Sequence, residues 1–245
     1  MELFFQKSLM GRLFTRNNAF LTRTNNPSWS QIPSEIGIDS FEDYRILQNK
    51  QMYQRESMLE VCEQLDFFKF SRIGEIGGSP FIQAKTLQER YPHLSFLLSD
   101  RHEVFYNSIQ SLNIFRNANF FTFNAFTDNL ECFSDCDLLM LWGVDLFYDD
   151  HQLIELLKFA KENAIKVLIS SRSVEHIKYS PKRILKMIPG TSFVVRAIRK
   201  NNFSTAQFVT GVYRSALYYR KLSQFANVAH KDFGRHNIYR VHLFN

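Results

Sequence analysis

The chain has 245 residues, with 30 Lys+Arg against 24 Asp+Glu, a formal charge of +6, 45% hydrophobic and 22% charged residues. That composition excludes a disordered or fibrous chain and suits one large domain, or a domain with a modest cap. The three cysteines, Cys62, Cys132 and Cys136, cannot build a disulfide framework and lack zinc-site spacing, so no metal centre and a reducing, cytoplasmic location are expected. Apolar runs are short and interrupted, far below the roughly 20 residues of a membrane-spanning helix.

In chain order, residues 3–21 come first, with Phe5, Leu9 and Leu13 at helical spacing, Lys7 and Arg12 between them and Arg16 just beyond. A basic amphipathic segment can lie on a membrane surface or resemble a transit peptide; a helix packed on its own domain is the expectation. Asn25 to Ser28 and Ile32 to Gly37 mark breaks. Ser40 with Asp43 forms an approximate capping box, and Ile46, Leu47, Met52, Met58, Leu59, Cys62 and Leu65 continue a helical pattern to about Phe68. Residues 1–70 are therefore expected to be an N-terminal helical extension, and residues 71–245 the main domain.

Beyond it, short β-type runs at Arg72–Ile76, Ser95–Asp100, Asn119–Asn124, Asp137–Trp142 and Lys166–Ser171 alternate with helix-like stretches at Pro80–Tyr91, Glu103–Phe115 and His151–Asn163. Parallel neighbours need crossovers, so the alternation predicts an α/β, Rossmann-like doubly wound sheet of five parallel-type strands. Phe203–Leu222 reads as a further helix. Phe225–Phe233 and Asn237–Phe244, flanking Gly234-Arg235-His236, read as a C-terminal antiparallel hairpin. Charge is unevenly shared: residues 1–176 hold 17 Lys+Arg and 23 acids, net −6, whereas residues 177–245 hold 13 and one, Asp232, net +12. Such a block favours an anionic neighbour, either an external ligand or the acidic body of the same protein.

The first run leads into Glu75-Ile76-Gly77-Gly78-Ser79-Pro80-Phe81 and then a helix. Glycines in such a turn let a ligand approach the backbone while helix N–H groups point at it. The second run ends in Asp100, an acid placed to accept ribose hydroxyls. The third ends at Asn124-Ala125 and the fourth at Trp142-Gly143-Val144. All four segments finish at one sheet edge, where open α/β sheets bind ligands.

Residues 70–245 in this pattern resemble the class I S-adenosylmethionine-dependent methyltransferases, small-molecule and sugar O-methyltransferases in particular. The resemblance implies that Glu75, Gly77, Gly78 and Ser79 surround the amino-acid part of S-adenosylmethionine. It further implies that Asp100 binds the ribose, that Asn124 and Ala125 read the adenine edge, and that Trp142 and Gly143 border cofactor and substrate. The chain departs from that family in having Ser79 and Phe81 where glycines are common, and Asn124 where an acid is common. Phe81 is expected to narrow the loop.

Methyl transfer needs alignment of the acceptor, with a base added for a hydroxyl. Asp145 and His176, after the fourth and fifth strands, are the candidate bases, although a loop or capping role suits each. The expected activity is O-methylation of a small-molecule, carbohydrate or other anionic acceptor. A catalytically inactive binding module with a basic partner surface is the alternative. An RNA methyltransferase is another, since nucleic acid would suit the cations and aromatics between Tyr179 and Arg220. A nicotinamide-dependent oxidoreductase is disfavoured by the absence of three-glycine dinucleotide spacing.

Overall fold

The computed structural model describes residues 38–101, 103–125, 127–145, 148–172, 216–236 and 239–245. Two helices come first, α1 (Phe41–Lys50) and α2 (Met52–Gln64). Ser40 caps α1: its hydroxyl accepts from Asp43 N–H at 3.1 Å and donates to Asp43 Oδ2 at 2.7 Å. The amide that returns to the Asp43 carboxylate is that of Asp39, at 3.3 Å, so the box is shifted by one residue from the expected one.

The remaining elements are β1 (Arg72–Ile76), α3 (Ile82–Arg90), β2 (Ser95–Asp100), α4 (Asn107–Ser111), β3 (Ala118–Thr122), β4 (Leu138–Trp142), α5 (Asp150–Glu162), β5 (Lys166–Arg172), α6 (Ala216–Ala226), β6 (His230–His236) and β7 (Tyr239–Phe244). They form one seven-stranded sheet in the order β3-β2-β1-β4-β5-β7-β6. β1 to β5 pair in parallel, and β7 runs antiparallel to both β5 and β6. The chain reverses its direction of travel across the sheet between β1 and β4, which makes that point the switch where a crevice opens at the strands' carboxyl ends.

Period-two alternation divides the core between the two faces. On one side Ile73, Leu98, Met140 and Trp142 pack with residues of α1, α2 and α3, including Tyr44, Met58, Val61 and Leu87. On the other, Ile76, Leu139, Leu141, Val167 and Ile169 pack with Leu153, Leu156, Leu157, Tyr219 and Leu222 of α5 and α6. Each such aliphatic side chain contributes about 1.5–3 kcal/mol when fully buried. The two central strands are also tied at their start: Asp137 Oδ2 accepts the N–H groups of Ser71 at 2.6 Å and Arg72 at 2.8 Å. Among the described residues no helix is long and apolar enough to cross a membrane.

Three sequence expectations need correction. The helix expected over Glu103–Phe115 is a single 3-10 turn (Glu103–Phe105) followed by the short α4, which ends before Asn113 turns left-handed at φ 51°. Phe225 belongs to α6, not to a strand; the helix stops at Asn227, with φ 53°, where Val228 N–H returns to Ser223 C=O at 3.0 Å. That is a Schellman-type ending with asparagine in the glycine position. Gly234, expected in the hairpin turn, lies inside β6 at a register shift opposite β7, and its φ of 88° is what the bulge requires. The part of the expected helix before residue 216 and the amphipathic segment 3–21 lie outside the described residues.

Candidate functional site

The β1–α3 turn builds the site from its backbone. Gly77 sits at φ 63°, a conformation that disfavours any β-carbon, and its N–H donates to Ser99 C=O of β2 at 2.8 Å. Phe81 N–H donates to Gly78 C=O at 2.6 Å, closing the turn into α3. Gly78 is needed for space: a β-carbon there would fall 2.1 Å from Glu75 Oε1. The acid at the end of β1 is therefore folded beneath its own glycine turn. Phe81 does not narrow the loop as expected. Its left-handed backbone, φ 59°, turns the ring into the core, fully buried and edge-on to Phe120 with centroids 5.8 Å apart.

Glu75 is fully buried, and burial pushes its carboxyl up to about 8; the Ala84 amide in the first turn of α3 opposes this, and nearby Asp100 adds to it. Its Oε2 has no hydrogen-bond partner among the described residues. One strand over, Asp100 ends β2, just past the Ile76–Ser99 pair. Its Oδ1 accepts from Arg101 N–H at 2.7 Å and its Oδ2 from Ser79 N–H at 3.3 Å. Burial raises Asp100 to about 6, with the two amides pulling the other way. Two carboxyls, Glu75 and Asp100, thus flank one glycine turn at the carboxyl edge of the sheet.

After β3, Asn124 N–H donates to Asp128 Oδ2 at 2.7 Å, and Asp128 Oδ1 accepts from the Thr127 hydroxyl at 3.0 Å. Ala125 lines a cavity of about 180 Å³ with Asp128, Leu130, Tyr148 and His151, between this loop and the start of α5. At the end of β4, Trp142 is buried against Tyr239, centroids 5.7 Å apart, and Gly143 N–H donates to Ser170 C=O at 2.7 Å.

No protein-family model matches the chain, and no curated protein is similar to it in sequence. Solved structures are similar in architecture. Human N-acetylserotonin methyltransferase in complex with S-adenosylmethionine superposes with a TM-score of 0.55 at 19% identity, over 98% of this chain and 68% of that one. The pyocyanin biosynthetic protein PhzM gives 0.59 at 14% identity, over 98% and 68%. The S-adenosylmethionine-dependent methyltransferase SibL gives 0.56 at 16% identity, over 98% and 71%. The fold is that of the class I methyltransferases. The chain spans about two thirds of the length of these three structures.

Within this methyltransferase fold the residues singled out in the sequence fall into three groups. Glu75, Gly77, Gly78, Ser79 and Asp100 converge on one corner, joined by the Ser79–Asp100 and Gly77–Ser99 hydrogen bonds. Trp142 adjoins the same corner, and Asn124 and Ala125 lie at the β3 exit beside the cavity. Asp145 is fully buried, and its Oδ2 accepts the Tyr219 hydroxyl of α6. Tyr219 in turn stacks on His242, centroids 4.2 Å apart, whose imidazole burial drives down to about 3 and so keeps neutral. The Asp145 carboxylate thus ties the β4 exit to α6 and faces the core. His176 lies outside the described residues.

Sequence reasoning missed Gln83, Gln54, Asp128 and Tyr148. Asp128 carried a readable signal, an acid four residues beyond Asn124 in a turn-rich stretch. The glutamines carried none, because their role comes from contacts between distant segments.

Proposed function

We propose that the chain is an S-adenosylmethionine-dependent methyltransferase acting on a small-molecule hydroxyl. The observation that carries this reading is the pair of acids, Glu75 and Asp100, on adjacent strand ends around the Gly77-Gly78 turn, in a sheet of class I methyltransferase topology. The residues fit the group. Asp100 accepts only backbone amides from the described residues and keeps lone pairs for two ribose hydroxyls, Glu75 Oε2 is buried without a partner, and the cavity beside Ala125 offers a niche for a base. When bound, S-adenosylmethionine supplies an electrophilic methyl on a sulfonium.

On this reading Asp100 holds the ribose, and the glycine turn admits the cofactor's amino-acid end beside Glu75. Asn124, Ala125 and Asp128 face the adenine, and Trp142 with Gly143 bounds the acceptor side. Alignment and exclusion of water are then the chain's main contributions to rate. Asp145 serves to fix the β4 exit through Tyr219. A small-molecule acceptor is supported by what the structurally similar N-acetylserotonin and pyocyanin proteins are named for. An anionic acceptor, including a carbohydrate that carries an acidic group, is supported by the +12 charge of residues 177–245. Transfer of a labelled methyl group from S-adenosylmethionine to a panel of phenolic, carboxylated and sugar hydroxyls tests the proposal. Labelling of at least one class is expected, and labelling of none contradicts it.

A further inference from the structure

A row of buried amides links the N-terminal helices to the acid beneath the glycine turn. The Gln83 side chain, on the first turn of α3, lies 3.2 Å from Glu75 Oε1, 3.1 Å from Trp142 Nε1 and 2.7 Å from the Gln54 amide on α2. Gln54 in turn lies 3.4 Å from the Tyr239 hydroxyl. The direction of this row follows from its one donor-only member. An indole N–H can only donate, so the Gln83 oxygen must face Trp142, which turns the Gln83 amide nitrogen toward Glu75. The same oxygen faces Gln54, which must then offer its own nitrogen and leave its oxygen to accept from Tyr239. Read this way every amide is satisfied, and the row ends as a hydrogen bond donated to the Glu75 carboxylate. A second tie runs in parallel: the Tyr44 hydroxyl on α1 donates to Pro80 C=O of the turn at 3.1 Å.

We infer that Gln83 and Gln54 are positioning residues for Glu75, so that the helices preceding the sheet form part of the cofactor-binding site rather than a separate cap. The inference rests on the proposed cofactor. Gln83 and Glu75 are at most 1% exposed, so no water substitutes freely for a lost partner. A donor on Oε1 favours the ionised carboxylate against the burial that opposes it. The carboxylate is the form that an incoming ammonium or sulfonium selects. The other titratable groups facing Glu75 are Asp100 of β2, which makes ionisation harder, and Tyr44 of α1, whose phenol burial pushes up and keeps protonated.

The test is isothermal titration of S-adenosylmethionine into the wild type, Gln83→Met and Gln54→Met between pH 6 and 9, with thermal melting of each free protein. The ligand's own amine titrates alike in every arm, so differences between arms report the protein. Wild-type affinity is expected to rise with pH and level off once Glu75 ionises. In Gln83→Met the inflexion moves upward and affinity at pH 7 falls ~tenfold, the equivalent of one pKa unit. Gln54→Met, which does not touch Glu75, moves the inflexion the same way by less. A merely structural role lowers the melting temperature and leaves the inflexion in place, and that result overturns the inference. Should Gln83→Met fail to fold, Gln54→Met alone decides. Absence of wild-type binding overturns the proposed function together with the inference, whereas wild-type binding with unshifted variants overturns the inference alone.

Discussion

The Glu75 carboxylate occupies the space that a side chain at Gly78 would need, with Oε1 2.1 Å from where a β-carbon would stand. Gly78→Ala must therefore expel the carboxylate from beneath the turn. The expected result is a loss of S-adenosylmethionine affinity of at least tenfold by calorimetry. Gly74→Ala is the control, because a β-carbon there meets Leu139 at 2.6 Å and Phe133 at 2.8 Å, both core side chains. It should cost about 1–3 kcal/mol in urea unfolding through overpacking. Equal affinity loss in the two variants would show that Gly78 matters only to packing.

Ligand-free stability should fall as pH rises above about 6.5, where the opposite contribution of His242, held neutral in the fold, is complete. Glu75 and Asp100 are raised in the folded protein, to about 8 and about 6. Each therefore binds its proton more tightly folded than unfolded, and its contribution to stability declines from near the unfolded values, about 4, up to the folded ones. The decline from Asp100 ends near pH 6 and that from Glu75 near pH 8. Melting temperature measured without ligand should drop between about pH 6.5 and 8 in the wild type and stay level in Glu75→Gln. An equal drop in both would place the titrating group elsewhere.

Tyr219→Phe removes the hydroxyl that Asp145 accepts and leaves a buried carboxylate short of a donor. The expected cost is about 1–3 kcal/mol. Asp145→Asn and Tyr219→Phe should be non-additive in a double-mutant cycle, with a coupling of roughly 0.5–3 kcal/mol. Additive effects would show that the contact carries no stability.

The five parallel strands were legible within a residue or two because each is a β-type run closed by a turn or polar residue, as at Asp100 and at Gly143 after Trp142. Their order across the sheet was not read from the sequence, because no local signal states which strands pair. The end of the chain was less legible, because local signals have more than one meaning. Gly234 serves a bulge as readily as a turn, and Asn227 ends α6 in a role where glycine would have been noticed. In the site, Glu75 and Asp100 could be read because strand ends are positions in sequence. Gln83 could not: its partners Glu75, Gln54 and Trp142 come from three different elements, and its place among them exists only once α2 packs on α3. Phe81 was misjudged for the related reason that a left-handed backbone reverses the side a ring takes.

The most direct test of the central claim is calorimetric titration of S-adenosylmethionine into the wild type and Asp100→Ala. Saturable binding is expected in the wild type. Affinity should be lower in the variant by about 1.5–3 kcal/mol, the worth of a hydrogen bond to a charged group, or more than tenfold. Absence of binding to the wild type at millimolar ligand, or equal affinity in the two proteins, would contradict the assignment of this sheet edge as a cofactor site.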